Sequence, residues 1–273
     1  ILSLEYALRL SAVAVRGGYT VKGHLAVDTG MSRIGFVYQD KERDKAGIEE
    51  MYQACSLSGI IPEGIFTHFS AADGGESGSY FTAQQFRCFI HAISLLEQRG
   101  VTFRLRHCAN SAALLDYPEY QLDMARPGII LYGLHPSAQV NALPPLRPVM
   151  QLKSVLSLVK RVEEGASVSY GRCFTAERPT LVGTIPAGYA DGYFRLLDKS
   201  GYVTVRGKKA GLVGRVCMDQ FMVELGQCPE AEAGDEVVLF GQEPLADALA
   251  ESVGTIGYEL VCSISRRVPR VYL

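Results

Sequence analysis

Apolar residues recur at helical spacing near the start of the chain, at Leu4, Leu8, Ala12 and Val15. Steps of three and four keep them on one helix face. Ser3 stands where a cap belongs, and Gly17-Gly18 where a stop belongs. From there to residue 135, short apolar runs alternate with helical patterns. Strands are predicted at residues 23–28, 64–68, 103–108 and 123–126. Helices are predicted over 48–58 and from Thr82 to Gly100, the second opened by a Thr82/Gln85 capping box. Such alternation implies a parallel sheet with crossover helices. A closed (β/α)8 barrel takes about 250 residues, so this stretch, with about four βα units, reads as half a barrel or a short doubly wound sheet.

The grammar changes at Pro136, Pro144, Pro145 and Pro148. Beyond them strands follow one another without helices between, at residues 149–162, 180–186, 202–206, 211–216, 220–225 and 236–240. One helix is predicted at 245–252. Short β segments with Gly-rich turns indicate a sandwich or barrel-like domain. The fold class is therefore α/β plus β, with residues 1–137 forming the βα part and 138–273 the β-rich part.

Composition narrows the function. A net charge of −2 and a pI near 6.3 argue against nucleic acid as the main partner. No apolar run reaches the roughly 20 residues of a membrane span. Glu5 lies near the start and no basic run precedes the first apolar stretch, which argues against a leader peptide. The seven cysteines are scattered without C-x-x-C spacing, so neither a zinc site nor a disulfide framework is expected, and a reducing cytoplasm fits best. The chain opens at Ile1, inside what reads as a running helix, and further N-terminal sequence is expected on that ground.

Polar residues gather at the predicted strand ends: Asp28 before Thr29-Gly30-Met31-Ser32-Arg33, then His68, then His107 to Ser111, then Arg126. In α/β barrels the C-terminal strand ends line the active site. Any one of these could be a solvated strand end; four in succession favour a site. Asn110-Ser111 and Gly128-Ile129 offer a hydroxyl and backbone N–H groups suited to a phosphate. In the second half, Ser169-Tyr170-Gly171, Gly188-Tyr189-Ala190-Asp191-Gly192 and Gly214-Arg215-Val216-Cys217-Met218-Asp219 stand out. Taken singly, Asp191-Gly192 reads as turn chemistry.

Together these strings resemble the alanine racemase family. The resemblance rests on His24-Leu25-Ala26-Val27-Asp28-Thr29-Gly30-Met31-Ser32-Arg33-Ile34-Gly35, Thr67-His68-Phe69, His107-Cys108-Ala109-Asn110-Ser111-Ala112 and Arg126-Pro127-Gly128-Ile129. It continues through Tyr132-Gly133-Leu134, Val168-Ser169-Tyr170-Gly171, the two later loops and Ile256-Gly257-Tyr258-Glu259, and ends with Arg267-Val268-Pro269-Arg270. The strings keep the family's order over nearly the whole chain. The resemblance implies a pyridoxal 5'-phosphate (PLP) barrel followed by a β domain. It also implies two-base interconversion of L- and D-alanine, supplying D-alanine for peptidoglycan, in a homodimer with shared sites.

By the same resemblance Tyr170 is the base for the L-isomer, contributed across the dimer interface. An unperturbed tyrosine has a pKa near 10, and a polar chain through His68, Arg126 and His107 would assist it. Arg126 would face the pyridine nitrogen. A permanently protonated guanidinium cannot give that nitrogen its proton, which makes the ring a weaker electron sink. Arg33 and the Met218 backbone would bind the substrate carboxylate. Ser111, Gly128, Ile129 and Tyr258 would hold the phosphate, with His107 beside the cofactor. Tyr189, Arg195, Arg215 and Asp73 match positions around the access channel.

The sequence departs from the family pattern at two points. The cofactor-bearing lysine sits in an N-terminal motif close to Ala-Tyr-Gly-His-Gly, which none of these residues matches. The barrel is thus expected to have an N-terminal part missing from this chain. Ala26 stands where some members carry a carbamylated lysine that orients the carboxylate-binding arginine. Three other readings share parts of the pattern: a serine/alanine racemase of the vancomycin-resistance type, a PLP-barrel decarboxylase, and a truncated non-catalytic PLP-barrel protein. Arg126 opposes the decarboxylase, which profits from a protonated ring nitrogen.

Overall fold

The computed structural model describes all 273 residues, and the chain divides into two compact units. The first comprises residues 1–130 and 135–145, the second residues 131–134 and 146–273. The chain thus changes unit around the proline-rich stretch.

The first unit opens with α1 (Leu4–Gly17). Ser3 caps it through its hydroxyl, which accepts from Tyr6 N–H, a contact typically contributing about 1 kcal/mol. Gly18 ends it in the left-handed conformation, at φ 68°. Strands β1 (Val21–Asp28) and β2 (Phe36–Val37), helix α2 (Lys45–Cys55), strand β3 (Ile60–Phe66), helix α3 (Gly75–Glu97), strand β4 (Leu105–His107) and helix α4 (Ser111–Asp116) follow. The four strands form one sheet in the order β2-β1-β3-β4, and the β1–β2, β1–β3 and β3–β4 ladders are all parallel. Leu25, Val27 and Ile65 of the sheet pack with Met51 of α2 and Phe89, Ile93 and Leu96 of α3 in one buried cluster. This is the expected βα architecture. It aims the ends of β1, β3 and β4 in one direction.

Two sequence expectations fail here. α3 begins seven residues before Thr82, so Thr82 and Gln85 are interior rather than a capping box. Thr82 instead donates its hydroxyl back to the Gly78 carbonyl, and Gln85 is fully buried. Residues 123–126 form no strand. Leu122 has a φ of 50°, and the segment's backbone donates only single bonds here, from Asp123 N–H to Arg106 C=O and from Arg126 N–H to Ala109 C=O just beyond β4, while the Asp123 and Arg126 side chains bond to Arg106 and His107.

The second unit contains β5 (Leu152–Val155), β6 (Leu158–Val162), β7 (Ser167–Val168), β8 (Phe174–Thr175), β9 (Thr180–Ile185), β10 (Tyr202–Val205), β11 (Lys208–Gly211), β12 (Phe221–Glu224) and β13 (Glu236–Phe240). Two helices follow, α5 (Ala246–Ser252) and α6 (Gly257–Ser263). The strands form antiparallel sheets in the orders β11-β10-β13-β5 and β12-β9-β6, with a small β7-β8 ribbon. Val203, Val205, Val237 and Leu239 alternate inward along β10 and β13, as half-buried strands do.

The sequence placed one strand over 149–162, where the structure has two strands in different sheets, divided at Leu156-Ser157. It placed another at 211–216, but the strand lies earlier, as β11 at Lys208–Gly211, turned back from β10 by Arg206 and Gly207 at φ 50° and 74°. Successive positive φ values are the tight hairpin geometry that matches strand twist. The second helix of this unit, α6, was not foreseen.

Candidate functional site

β1, β3 and β4 deliver the site in the first unit. Arg126 is half-buried, and its guanidinium donates through Nη1 to His107 Nδ1 at 2.6 Å. Through Nη2 it donates to the Thr67 carbonyl at 2.8 Å and to His68 Nδ1 at 3.3 Å. Its charge also lies over the Phe66 ring, 5.4 Å from the centroid, and that ring stacks on His107 at 5.2 Å. Beyond His107 the chain continues, with His107 Nε2 lying 2.7 Å from His24 Nδ1.

Arginine has no acceptor and keeps its protons. Both histidines therefore present an unprotonated Nδ1 to it, and each neutral ring carries its proton on Nε2. Burial first, then the Arg126 and Arg33 charges, pulls His68 down to about 4. Burial, then Arg126 and His24, does the same for His107, again to about 4. Geometry and electrostatics agree that both rings are neutral near pH 7. His107 then donates from Nε2 to His24.

Arg33 is exposed and lines a small cavity with Ala26, Asp28, Met31, Thr67 and His68. Its loop is shaped by Asp28, whose Oδ1 accepts from Gly30 and Ser32 N–H at 3.0 and 2.9 Å. Gly35 closes the loop at φ 115°, where a Cβ would stand 2.7 Å from the Ala26 carbonyl. The small side chain of Ala26 is itself buried.

Ser111 opens α4, next to Asn110, whose side chain caps the helix. Its buried hydroxyl accepts from Gly128 N–H at 2.8 Å. A Cβ at Gly128 would have that hydroxyl as its nearest neighbour, at 3.6 Å. Ile129 begins the next short turn.

The second unit carries the remaining residues. Tyr170 is exposed, between Ser169 at φ 70° and Gly171 at φ 73°. Ser169 pins this turn to Arg215, donating its hydroxyl to the Arg215 carbonyl and accepting from Arg215 N–H, both at 3.0 Å. A non-glycine residue at positive φ is strained unless its surroundings over-determine it, and this double bond does so. Tyr189 and Ala190 N–H donate to the Cys217 and Met218 carbonyls at 3.1 and 2.9 Å. Gly188 has no room for a Cβ, which would collide with those two residues. Asp191 anchors the same loop by accepting from Gly188 N–H at 2.8 Å and Arg267 Nε at 2.6 Å. So Asp191-Gly192 is a turn, as its chemistry suggested, and it also ties Tyr189 to Met218. Arg195 begins a separate short helix, and Tyr258 lies in the first turn of α6. Asp73 is exposed in the first unit, where its carbonyl accepts from Ser137.

Known proteins bear on this arrangement directly. Residues 1–136 match the family model described as alanine racemase, N-terminal domain, and residues 149–272 that described as alanine racemase, C-terminal domain. The chain belongs to the alanine racemase family. An alanine racemase of Desulforamulus reducens is 46% identical over 275 residues, which span all of this chain and 72% of that protein. One of Clostridium tetani is 44% identical over 279 residues, covering 100% and 70%. Among solved structures, the alanine racemase of Clostridium difficile 630 superposes with a TM-score of 0.90 at 39% identity, covering 100% of this chain and 70% of that one. That of a D-cycloserine-producing Streptomyces lavendulae gives 0.91 at 37%, covering 100% and 72%.

Alanine racemases depend on PLP, and residues of the first unit suit it. The open space above the Ser111 hydroxyl, kept clear by Gly128, would accept a phosphate. Arg126 offers a fixed cation beside two neutral rings. No helix is long and apolar enough to cross a membrane.

Sequence reasoning missed His24, Thr67 and Gln85 as parts of this site. Strand periodicity held a signal for the first, since His24, Ala26 and Asp28 alternate along β1. For Gln85 the signal was a polar residue in helical phase with the buried Phe89, Ala92 and Leu96.

Proposed function

We propose that the natural protein interconverts L- and D-alanine with PLP, supplying D-alanine for peptidoglycan, as a homodimer in a reducing cytoplasm. The carrying observation is the Arg126 guanidinium, fixed by His107, His68 and the Thr67 carbonyl. Seven free cysteines are compatible with the compartment.

Bound PLP supplies an electron sink that acidifies the α-carbon of the amino acid attached to it. The chain's own residues supply the rest. Arg126 would face the ring nitrogen as a donor that never yields its proton, which would keep that sink weak and favour proton return over side reactions. Arg33 pairs with the substrate carboxylate. The Met218 carbonyl is already engaged by Ala190, so Met218 contributes its N–H. Ser111, Gly128, Ile129 and Tyr258 would hold the phosphate.

Tyr170 of one protomer takes the α-proton of the L-isomer in its partner's site. Because Arg126 occupies His68 Nδ1, the His68 proton is on Nε2, and from there it donates to the tyrosine oxygen. That donation favours the phenolate and brings a group with an intrinsic pKa near 10 into working range. The test is direct: the purified natural protein, given PLP and L-alanine, forms D-alanine. If it does not, the proposal is wrong.

A further inference from the structure

Gln85 lies midway along α3, fully buried, and its side chain bonds to no side chain assigned to the reaction. Its amide is nevertheless used completely. Oε1 accepts from Ser70 N–H at 3.0 Å and from the Ser70 hydroxyl at 3.3 Å. Nε2 donates to the His68 carbonyl at 3.2 Å and to Thr29 Oγ1 at 3.3 Å. The orientation is unambiguous, because a backbone N–H can only donate and a carbonyl can only accept.

The consequences run outward. Thr29 Oγ1, already accepting from Gln85, also shares a hydrogen bond with Thr67 Oγ1 at 2.7 Å. Thr67 in turn holds Arg126 Nη2 on its carbonyl at 2.8 Å. Thr29 also follows Asp28, the residue that shapes the Arg33 loop. A single buried amide on α3 therefore ties two strand ends together: the β1 end leading to Arg33, and the β3 end, which bears His68 and the Thr67 carbonyl that seats Arg126.

We propose that Gln85 is a positioning residue for the racemase site, setting the register of Arg33 against His68 and Arg126 through the Thr29–Thr67 pair. The inference rests on the functional reading above. It also has a structural alternative, in which Gln85 only fills the core. Core filling would change stability and leave the chemistry of the folded protein alone.

The two are separated in the natural holoenzyme, assayed well below its melting temperature. Gln85→Leu is close in size and removes all four bonds. It should lower kcat/KM for L-alanine by about 10- to 100-fold, the scale of a 1 Å misplacement, with KM rising and kcat falling together. The second reading is independent of turnover. In 15N spectra of the histidine rings, His68 should lose its acceptor Nδ1 signature and titrate closer to the ordinary histidine value of about 6.5. If Gln85→Leu proves insoluble, Thr29→Val removes the middle of the same path at lower structural cost and should move both readings in the same direction. Exposed Gln98→Leu, at the end of the same helix, is the control. A folded Gln85→Leu or Thr29→Val protein with unchanged kcat/KM and an unchanged His68 spectrum overturns the inference. A natural protein that does not racemise alanine overturns the functional reading instead, and the His68 spectrum still decides the role of Gln85.

Discussion

His107 Nδ1 stands 2.6 Å from Arg126 Nη1. The arginine can only donate, so the histidine can only accept there, and its proton is committed to the other nitrogen, 2.7 Å from His24. Replacing His107 by phenylalanine should keep the stack on Phe66 and remove the acceptor. A half-buried cation would then be left one bond short, at a cost of about 1–3 kcal/mol. Urea denaturation of His107→Phe measures it; a midpoint equal to that of the parent would mean that the contact carries no stability.

The two histidines held by Arg126 set a pH dependence. His68 and His107 are each held near 4 in the folded protein, against about 6.5 in an unfolded chain. Between those values the unfolded state binds more protons, so stability rises with pH. It should be complete above about pH 6.5 and decline as pH falls toward 4. Melting temperatures across that window should drop on acidification, and the drop should be smaller in His107→Phe.

Gly188 tests the second unit by shape alone. A methyl group there would collide with the Cys217 and Met218 backbone. Gly188→Ala should displace Met218 and raise KM for alanine about tenfold, within the range of small misplacements, with a smaller effect on kcat. Steady-state kinetics in both directions check this. An unchanged KM would remove Met218 from the substrate site.

Much of this was legible in the sequence, for physical reasons that can be named. Ser3 and Gly18 mark α1 because a helix leaves its terminal N–H and C=O groups to be satisfied locally. The strand ends at Asp28 and His107 were visible because buried parallel strands are apolar and stop at polar residues, whereas β3 stops at Phe66, two residues short of the expected His68. The start of α3 was not visible. Residues 74–79 contain three glycines and two serines, which read as loop, yet Gly78 is needed where α3 passes the Ala71 carbonyl too closely for a Cβ. Tertiary contact overrode propensity there, and it turned an apparent capping box into the buried Gln85 knot. The split at Leu156-Ser157 escaped for a similar reason: a continuous β-prone run does not record a change of sheet partner. Roles such as the proton chemistry of Tyr170 came from resemblance alone, since an exposed tyrosine in a turn has no distinguishing pattern of its own.

Tyr170 carries the proton chemistry of the proposed reaction. Its turn is held at positive φ on both sides and double-bonded to Arg215 through Ser169, so removing only the phenol oxygen should leave the backbone in place. The decisive measurement is formation of D-alanine from L-alanine in deuterium oxide by the natural PLP-loaded protein and by Tyr170→Phe. The natural protein should give a near-equal mixture carrying deuterium at the α-carbon, and Tyr170→Phe a rate lower by about 10²–10⁴-fold. Absence of D-alanine from the natural protein would overturn the proposed racemisation, and an undiminished rate in Tyr170→Phe would overturn the role of Tyr170.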